Sequence, residues 1–444
     1  MIQLSAELTT IIMLGGVLLG VLTGFPLAFP LGGMGVIIGY LLFGPSVFDL
    51  IYSRVFSLVT NYLLLAIPLF VFMGGMLEKS GIAEKMYDAL YLWLGGLRGG
   101  LAIVTILLGT VLAATVGIIA ASIAMLAMVA LPAMVKRGYD KAMASGAIIA
   151  AGCLGILIPP SIMLVIYGPM ATISVGKLFM AAFFPGFLLS FLYMIHVAVR
   201  CSLEPQLAPA IPAKERNVPL GKKTMMLVTA LVPTAILIMA VLGVIFLGIA
   251  PPTEAAASGA FVATLLAVAY RRFSFKVLIG TALETLRLTA MILLIGSCAF
   301  AFVGVFLSAG CGKVVENLIL ATPGGVWGAF FVVQLIVFLL GFFIDWIGIL
   351  FIIVPIISPL VLALGFDPLW FAMMICVNLQ TSFMTPPFAP GIFFLRGTAD
   401  PALGVSMADI IRGIWPFVFL VLIALALLVA FPQIILWLPA KMIK

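Results

Sequence analysis

Residues 155–161, Gly-Ile-Leu-Ile-Pro-Pro-Ser, place two adjacent prolines in the middle of an apolar run. A second pair occurs 227 residues later in residues 381–387, Thr-Ser-Phe-Met-Thr-Pro-Pro. Proline has no backbone N–H and cannot continue a helix. A bilayer tolerates such a break only where the freed backbone groups face protein or a water-filled cavity. Broken helices at corresponding places in two halves of a chain therefore predict the binding site of a transporter.

The same offset of 227 residues relates further positions, so the chain contains an internal repeat. It pairs Gly138 with Gly365 and Asp140 with Asp367, with no gap between these matches. We therefore predict a first repeat over residues 1–199 and a second over residues 224–444, joined by a hydrophilic cytoplasmic linker over 200–223.

Composition sets the class of protein. Of the 444 residues, 65% are hydrophobic and 8% are charged, and the mean hydropathy is +1.37. Such a chain cannot present a polar surface to water, which predicts an all-α polytopic membrane protein. The net charge of +7 then belongs to loops between spans and not to a nucleic-acid surface. The five cysteines form no Cys-x-x-Cys pair, which argues against a metal cluster or a disulfide framework.

A helix needs roughly 20 residues to cross a bilayer, and the lengths of the apolar runs therefore indicate the spans. Because the N-terminus lacks the basic region of a secretory signal, we expect the first run to be retained. Two broken spans, 142–174 and 368–393, contain the proline pairs. Full spans are predicted near residues 9–24, 27–44, 62–77, 180–199, 224–248, 252–270, 287–308 and 413–438.

Residues 101–135 and 326–364 are each too long for one crossing, and each divides at a polar or glycine-containing tip. The tips are residues 115–117, Thr-Val-Gly, and residues 345–348, Asp-Trp-Ile-Gly. Each arm has only about 16 to 18 residues, which is short for a span. We interpret both segments as re-entrant helical hairpins. The alternative is four thin, tilted spans.

Loop charge supports the hairpins. With the N-terminus outside, 17 of the 22 lysines and arginines fall on the cytoplasmic side, in agreement with the positive-inside rule. Both ends of the first hairpin then lie inside and both ends of the second lie outside. The two halves are thus predicted to form an inverted-topology repeat with its site near the midplane.

The residues at the breaks suit two kinds of ligand. Free carbonyls and the hydroxyl of Ser161 are ligands for a hard cation such as sodium, while an adjacent helix start offers N–H groups to an anion. The alternative for either motif alone is a simple proline kink. Asp345 is a functional candidate as an intramembrane acid, or a helix cap. Glu254 follows Pro-Pro-Thr, and stabilisation of a helix N-terminus is the favoured interpretation.

Three separated motifs resemble those of the large membrane subunit of tripartite ATP-independent periplasmic (TRAP) transporters, the DctM-like family. They are residues 155–168, residues 248–257 with a Pro-Thr-Glu-Ala-Ala-Ala core, and residues 378–388, Asn-Leu-Gln-Thr-Ser-Phe-Met-Thr-Pro-Pro-Phe. The resemblance implies a sodium-driven elevator in the bacterial inner membrane, in which hairpins and broken helices move against a scaffold. It also implies a periplasmic solute-binding protein and a small four-helix membrane subunit. We expect that subunit to be a separate polypeptide.

The resemblance also implies site residues, and the first hairpin tip departs from the Ser-Gly-Ser type of many members. Expected substrate contacts are Gly155, Pro159, Pro160, Ser161, Asp345, Thr385, Pro386 and Pro387. Candidate sodium ligands are Thr115, Gly117, Ser122, Ser161, Gly348, Thr381, Ser382 and Thr385. The second tip looks closer to the mannitol and chloroaromatic subgroup, some of whose members handle 2-oxo acids or lactate. This favours an organic monocarboxylate, with a C4-dicarboxylate or another carboxylate as the alternative.

Three other functions are weighed by what each would require. A membrane-embedded enzyme needs a cluster of acids, histidines or a metal, and the sequence shows none, so we expect neither catalysis nor an organic cofactor. A proton-pumping subunit or another proton-coupled carrier needs a chain of ionisable residues through the membrane, and little beyond Asp345 and Glu254 is available. A plain channel would not need two movable hairpins.

Overall fold

The computed structural model describes residues 4–210, 212 and 218–442, and over these ranges the secondary structure is helical with no strand. Eight helical stretches among the described residues are long and apolar enough to cross a membrane. The prediction of an all-α polytopic membrane protein is thereby confirmed. The long stretches are Ala28–Val59, Tyr62–Lys79, Val175–Leu203, Leu220–Phe246, Pro252–Ala269, Phe275–Ser308, Trp346–Ala363 and Met407–Ala430.

The helices divide at the predicted linker. The first half contains α1 (Ala6–Leu22), α2 (Ala28–Phe43), α3 (Val47–Val59), α4 (Ala66–Lys79), α5 (Ile82–Leu94), α6 (Gly100–Val116), α7 (Ile119–Val135), α8 (Lys141–Cys153), α9 (Ile162–Ala171) and α10 (Val175–Leu203). The second half contains α11 (Leu220–Ile238), α12 (Val244–Phe246), α13 (Pro252–Ala269), α14 (Phe275–Ser308), α15 (Cys311–Leu320), α16 (Gly325–Leu340), α17 (Trp346–Ala363), α18 (Pro368–Met384), α19 (Pro390–Thr398), α20 (Met407–Ala430) and α21 (Gln433–Ala440). A π-helical turn over Met239–Gly243 connects α11 to α12.

Three differences from the predicted spans have local causes. The run 413–438 is two helices, because α20 ends at Ala430 and Pro432 precedes α21. Helix α14 begins at Phe275, well before the predicted residue 287. Helices α3, α5 and α15 were not predicted, since each is apolar on one face only and does not form a long hydropathic run.

The segment predicted as a linker is partly ordered against residues that flank the two ends of the first hairpin. Helix α10 extends to Leu203, so the first residues of the predicted linker are helical. The amide of Gly99 then donates to the carbonyl of Ala208, and the amide of Asp140 donates to that of Leu207. Residues 211 and 213–217 of this segment lie outside the described residues.

The helices pack as two groups. In the first group, α4 lies against α13, and α14 lies against α2, α3 and α4. We call this group, α1–α4 with α11–α14, the scaffold. In the second group, α8 packs against α6, α7 and α20, and α18 packs against α16 and α20. We call this group, α6–α10 with α16–α21, the hairpin domain.

The two halves of the hairpin domain repeat the same local structure. Asp140 caps the start of α8 and Asp367 caps the start of α18, each through its side-chain carboxylate. The glycines two residues before these caps, Gly138 and Gly365, both have positive φ angles. Both proline pairs contain a cis peptide bond. These matches support the internal repeat at the level of the backbone.

Candidate functional site

The first hairpin turns through two residues. Helix α6 ends at Val116, Gly117 adopts a φ of +65°, Ile118 is extended, and α7 begins at Ile119. This left-handed angle favours glycine, which has no Cβ to clash with the backbone. A Cβ atom at position 117 would lie 3.5 Å from the carbonyl oxygen of Pro160. The first hairpin tip therefore lies beside the first proline pair.

The first break separates α8 from α9. A 3-10 turn over Leu154–Ile156 follows α8, and the proline pair leads to Ser161, which is extended and fully buried. The hydroxyl of Ser161 donates to the carbonyl oxygen of Ile156. Gly155 lies in this turn, and a Cβ atom there would lie 3.1 Å from Oγ of Ser122. The break is thus in contact with helix α7 of the first hairpin.

The second hairpin has a longer tip. Helix α16 ends at Leu340, and a turn over residues 341–344 leads to Asp345, which is extended and precedes α17. Among the described residues, no basic side chain forms an ion pair with Asp345. A Cβ atom at Gly341 would clash with the hydroxyl of Ser382, so this tip packs directly on α18.

The second break separates α18 from α19. Thr385 ends α18 in an extended conformation, the proline pair follows, and α19 begins at Pro390. The Thr385 hydroxyl donates to the carbonyl of Thr381 at 2.8 Å. The Thr381 hydroxyl donates in turn to the carbonyl of Asn378 at 2.7 Å. Pro387 is exposed, whereas Thr385 is buried.

Both hairpin tips and both breaks meet at one cavity of about 150 Å³, which we call the central cavity. The scaffold closes its remaining side through α4 and α14. The residues that line it are Val71, Gly117, Ile118, Ile119, Ala120, Ile156, Ile162, Leu288, Met291, Ile292, Asp345, Trp346, Ile347, Phe383, Pro390 and Phe394. The cavity therefore lies at the boundary between the scaffold and the hairpin domain.

Four helices begin at the wall of the central cavity, namely α7, α9, α17 and α19. None of the four has a side-chain capping hydrogen bond. Among the helices that begin away from the cavity, α8, α10, α18 and α20 are capped by an aspartate or serine side chain, whereas α5, α6 and α16 are not. Uncapped helix starts present free N–H groups and the positive end of the helix dipole, which favours an anion.

The walls of the central cavity are otherwise apolar. Of the described residues that line it, Asp345 alone is ionisable. Asp345 precedes α17, so its charge offsets the dipole of that helix. The first turns of α7, α9 and α19 contain no acidic residue. Three helix starts therefore remain uncompensated, and the arrangement suits a small molecule with a carboxylate and an apolar body.

Two buried hydroxyls near the hairpins have no hydrogen-bond partner among the described residues, those of Ser122 and Ser382. Ser122 lies beside Gly155, and Ser382 lies beside Gly341. Each hydroxyl thus sits where a hairpin meets a broken helix, once in each half. Helix ends at such breaks also leave backbone carbonyls free, and carbonyl and hydroxyl oxygens are ligands for sodium.

The predicted site residues have different surroundings. Gly117 and Asp345 line the central cavity, and Pro160 lies beside Gly117. The hydroxyl of Thr115 donates to the carbonyl of Leu112 at 2.8 Å. Gly348 does not line the cavity; the side chain of Leu27 occupies the place where a Cβ atom at Gly348 would lie. Because Gly348 has no side chain, the second hairpin can pack closely against Leu27 of the scaffold.

Sequence reasoning passed over Gln380, which is fully buried in α18 with neither end of its amide paired among the described residues. A polar amide within an apolar helix was the available signal. The scaffold residues Val71, Leu288 and Met291 were also missed, because isolated apolar side chains in apolar spans give no signal. Glu254 is exposed in the first turn of α13, where its charge can stabilise the N-terminus of that helix, as the favoured interpretation expects.

A wider cavity of about 340 Å³, which we call the vestibule, adjoins the central cavity and shares Val71, Ile118, Ala120 and Leu288 with it. It also contains the charged side chains of Glu78, Glu284 and Arg287. Glu284 forms an ion pair with Lys79 at 2.7 Å. The vestibule therefore extends from the central cavity toward the end of α14 that carries the basic loops.

Comparison with known proteins gives a consistent family. Residues 14–434 match the family model described as tripartite ATP-independent periplasmic transporter, DctM component. The C4-dicarboxylate TRAP transporter large permease protein DctM of Pseudomonas aeruginosa is 30% identical, over 92% of this chain and 93% of the relative. The ectoine TRAP transporter large permease protein TeaC of Halomonas elongata is 27% identical, over 97% of this chain and 98% of the relative.

Two further matches concern fused chains and the fold. The isethionate TRAP transporter permease protein DctMQ of Oleidesulfovibrio alaskensis is 28% identical, over 95% of this chain and 65% of the relative. The crystal structure of the YdaH transporter of Alcanivorax borkumensis is similar with a TM-score of 0.65 at 16% identity, covering 96% of this chain and 99% of that chain. The structural likeness concerns the fold alone.

Proposed function

The chain belongs to the family of the DctM component of TRAP transporters, and from this membership and the central cavity we propose that it imports an organic acid anion coupled to sodium. The observation that carries the proposal is the convergence on one cavity of three helix starts, those of α7, α9 and α19, that have neither a side-chain cap nor an acidic residue in the first turn. Half-helix N-termini at membrane depth bind the anionic group of a substrate in other secondary transporters.

Sodium coupling is supported by the C-terminal ends of the two helices that lead into the breaks. Helix α8 and helix α18 end at the two breaks, where their last carbonyl groups lack helical partners. Ser122 and Ser382 add unpaired hydroxyl oxygens at the same places. We propose one cation site at each junction of hairpin and broken helix, flanking the anion in the central cavity.

The position of the cavity supports an elevator mechanism. The hairpin domain supplies both tips and both breaks, while the scaffold supplies only apolar side chains of α4 and α14. An apolar wall at this cavity lets the hairpin domain move past it without breaking polar contacts there. The vestibule extends toward the basic loops, which the positive-inside rule assigns to the cytoplasm. We propose that the structure represents the state open to the cytoplasm.

A monocarboxylate such as lactate or a 2-oxo acid is the proposed substrate. Asp345 would repel a second carboxylate, and no basic side chain lines the central cavity. A C4-dicarboxylate is the second candidate, because the relative from Pseudomonas aeruginosa is named for that substrate class. A bound sodium ion beside Asp345 would be needed to accommodate the second charge.

The proposed assembly comprises this multi-pass subunit, a small membrane subunit with four helices and a periplasmic solute-binding protein. The family description names a tripartite transporter, and a relative combines both membrane components in one DctMQ protein. An inner-membrane location follows from a periplasmic donor of substrate. The small subunit would hold the scaffold in the bilayer while the hairpin domain moves.

Reconstitution tests this function. The complex with its small subunit is placed in liposomes, the binding protein is added outside, and uptake of labelled lactate, pyruvate and succinate is measured. We expect uptake of a monocarboxylate that requires an inward sodium gradient and the binding protein. Uptake that proceeds equally well in potassium alone would reject sodium coupling, and a preference for succinate would favour the second candidate.

A further inference from the structure

A third cavity, of about 160 Å³, lies between the scaffold and the hairpin domain, and we call it the outer cavity. Along α14, the vestibule is lined by residues 281–288, the central cavity by residues 288–292 and the outer cavity by residues 300–307. The three cavities therefore follow one another along the boundary that the substrate has to pass. The outer cavity lies at the end opposite the basic loops.

Within the part of the chain that the structure describes, Arg54 of α3 is the only ionisable residue that lines the outer cavity. It lies on the exposed face of α3, a helix that is apolar on one face only. Among the described residues, no carboxylate forms an ion pair with it. Because the guanidinium is exposed and has no ion-pair partner, its charge is available to an anion that enters the outer cavity.

Gly304 of α14 makes room for this side chain. A Cβ atom at position 304 would lie 2.8 Å from Cγ of Arg54, closer than two carbon atoms can approach. The aliphatic stem of Arg54 therefore lies across α14 at its one glycine in the outer cavity. Met170 of α9 and Pro355 of α17 line the same cavity.

Helices α9 and α17 of the hairpin domain extend from the central cavity to the outer cavity. Ile162 of α9 and Ile347 of α17 line the central cavity, whereas Met170 and Pro355, each eight residues further along, line the outer one. At 1.5 Å per residue, the two levels are about 12 Å apart. An elevator movement of this size toward the outside brings the carboxylate site of the central cavity level with Arg54.

We infer that Arg54 is the outer anion-binding residue of the transport path, and that it receives the carboxylate of the incoming substrate. The inference rests on the proposed function. A guanidinium presents two parallel N–H donors that match the two oxygens of a carboxylate. Lysine carries the same charge but lacks this fixed pair of donors. The same chemistry would also bind the phosphate of a lipid headgroup, so the test has to separate the two sources.

The test measures the local charge without requiring transport. Met170→Cys is introduced into a chain whose five native cysteines are replaced, and the complex with its small subunit is reconstituted in phosphatidylcholine liposomes. The thiol is labelled with an anionic and a cationic methanethiosulfonate reagent. We expect Arg54→Gln to lower the ratio of anionic to cationic labelling rates about tenfold, since a unit charge a few ångströms away favours one reagent and disfavours the other. Arg54→Lys, the matched control, is expected to keep the ratio.

Acetate serves as the carboxylate probe. At constant ionic strength, acetate is expected to slow labelling of Met170→Cys when Arg54 is present and to lose this effect in Arg54→Gln. An unchanged labelling ratio, or protection by acetate that does not depend on Arg54, would overturn the inference. Protection that appears only when phosphatidylglycerol is absent would assign Arg54 to a lipid phosphate instead, and this also overturns it. Because labelling needs no sodium gradient, the result is independent of whether the uptake experiment succeeds.

Discussion

Ser122 and Ser382 differ from the other hydroxyls of the site. The hydroxyls of Ser161 and Thr385 already donate to backbone carbonyls, whereas those of Ser122 and Ser382 have no partner among the described residues. Removing a buried hydroxyl that has no partner is close to neutral for stability. A strong effect on sodium binding would therefore come from a lost ligand and not from a damaged fold.

We predict that Ser122→Ala and Ser382→Ala each raise the half-saturating sodium concentration about tenfold, since a hydrogen-bond-like contact to a charged group contributes about 1.5–3 kcal/mol. The measurement is a sodium titration of uptake in liposomes, together with the thermal unfolding temperature. Ser161→Ala and Thr385→Val are the comparison, and a smaller change is expected for both. Equal sodium curves for all four variants would leave only backbone carbonyls as ligands.

At the scale of elements, the hairpins depend on close backbone approach to the broken helices. Gly341 at the second tip lies directly against Ser382 of α18, and the first tip places Gly117 beside the Pro160 carbonyl. A Cβ atom at Gly341 would have to displace Ser382, whereas at Gly117 the positive φ angle, and not a clash, disfavours a side chain. The position of the second hairpin is thus linked to the sodium site proposed at Ser382.

We predict that Gly341→Ala destabilises the protein by about 1–3 kcal/mol through overpacking and weakens sodium binding, because its Cβ atom takes the place of the Ser382 hydroxyl. Gly397→Ala in α19 is the matched control, since no heavy atom lies within 4 Å of its added Cβ atom. Thermal unfolding with and without sodium measures both effects. A Gly341→Ala protein with wild-type stability and sodium response would contradict the packing described at this tip.

At the scale of the whole molecule, the proposed mechanism requires the hairpin domain to move past the scaffold. Val71 of the scaffold and Ala120 of the first hairpin line the same two cavities. We predict that joining Val71→Cys to Ala120→Cys with a short bifunctional thiol reagent stops uptake, and that cleavage of the cross-link restores it. The control pair, Asp140→Cys with Arg412→Cys, joins α8 to α20 within the hairpin domain and away from the central cavity, so uptake should be retained after cross-linking.

The orientation in the membrane is tested at Gly221, which is exposed near the start of α11. Because the basic loops favour the cytoplasm, Gly221→Cys in a cysteine-free chain should react with an impermeant thiol reagent only from the cytoplasmic side. The experiment compares intact cells with inverted vesicles. Labelling of intact cells would reject the inverted arrangement of the two halves.

The sequence by itself determined the class of protein, the two breaks and the two hairpins. The hydropathy of a segment and the missing N–H of proline are local properties. Their effects on membrane insertion and on helix continuity therefore do not depend on which other segments pack nearby. For the same reason Asp140 and Asp367 were recognisable as equivalent positions, and both cap a helix. One apolar run was misread, that over 413–438, because Pro432 was given too little weight.

Only the tertiary structure decided which helix starts share a cavity and which glycines meet which side chains. Ser122 meets Gly155, Leu27 fills the space at Gly348, and Arg54 crosses Gly304. Each contact joins residues from different helices, and it depends on how those helices pack and on the space that neighbouring side chains leave. The local sequence does not specify that packing. The central cavity and the place of Arg54 in the outer cavity therefore became visible only in the folded chain.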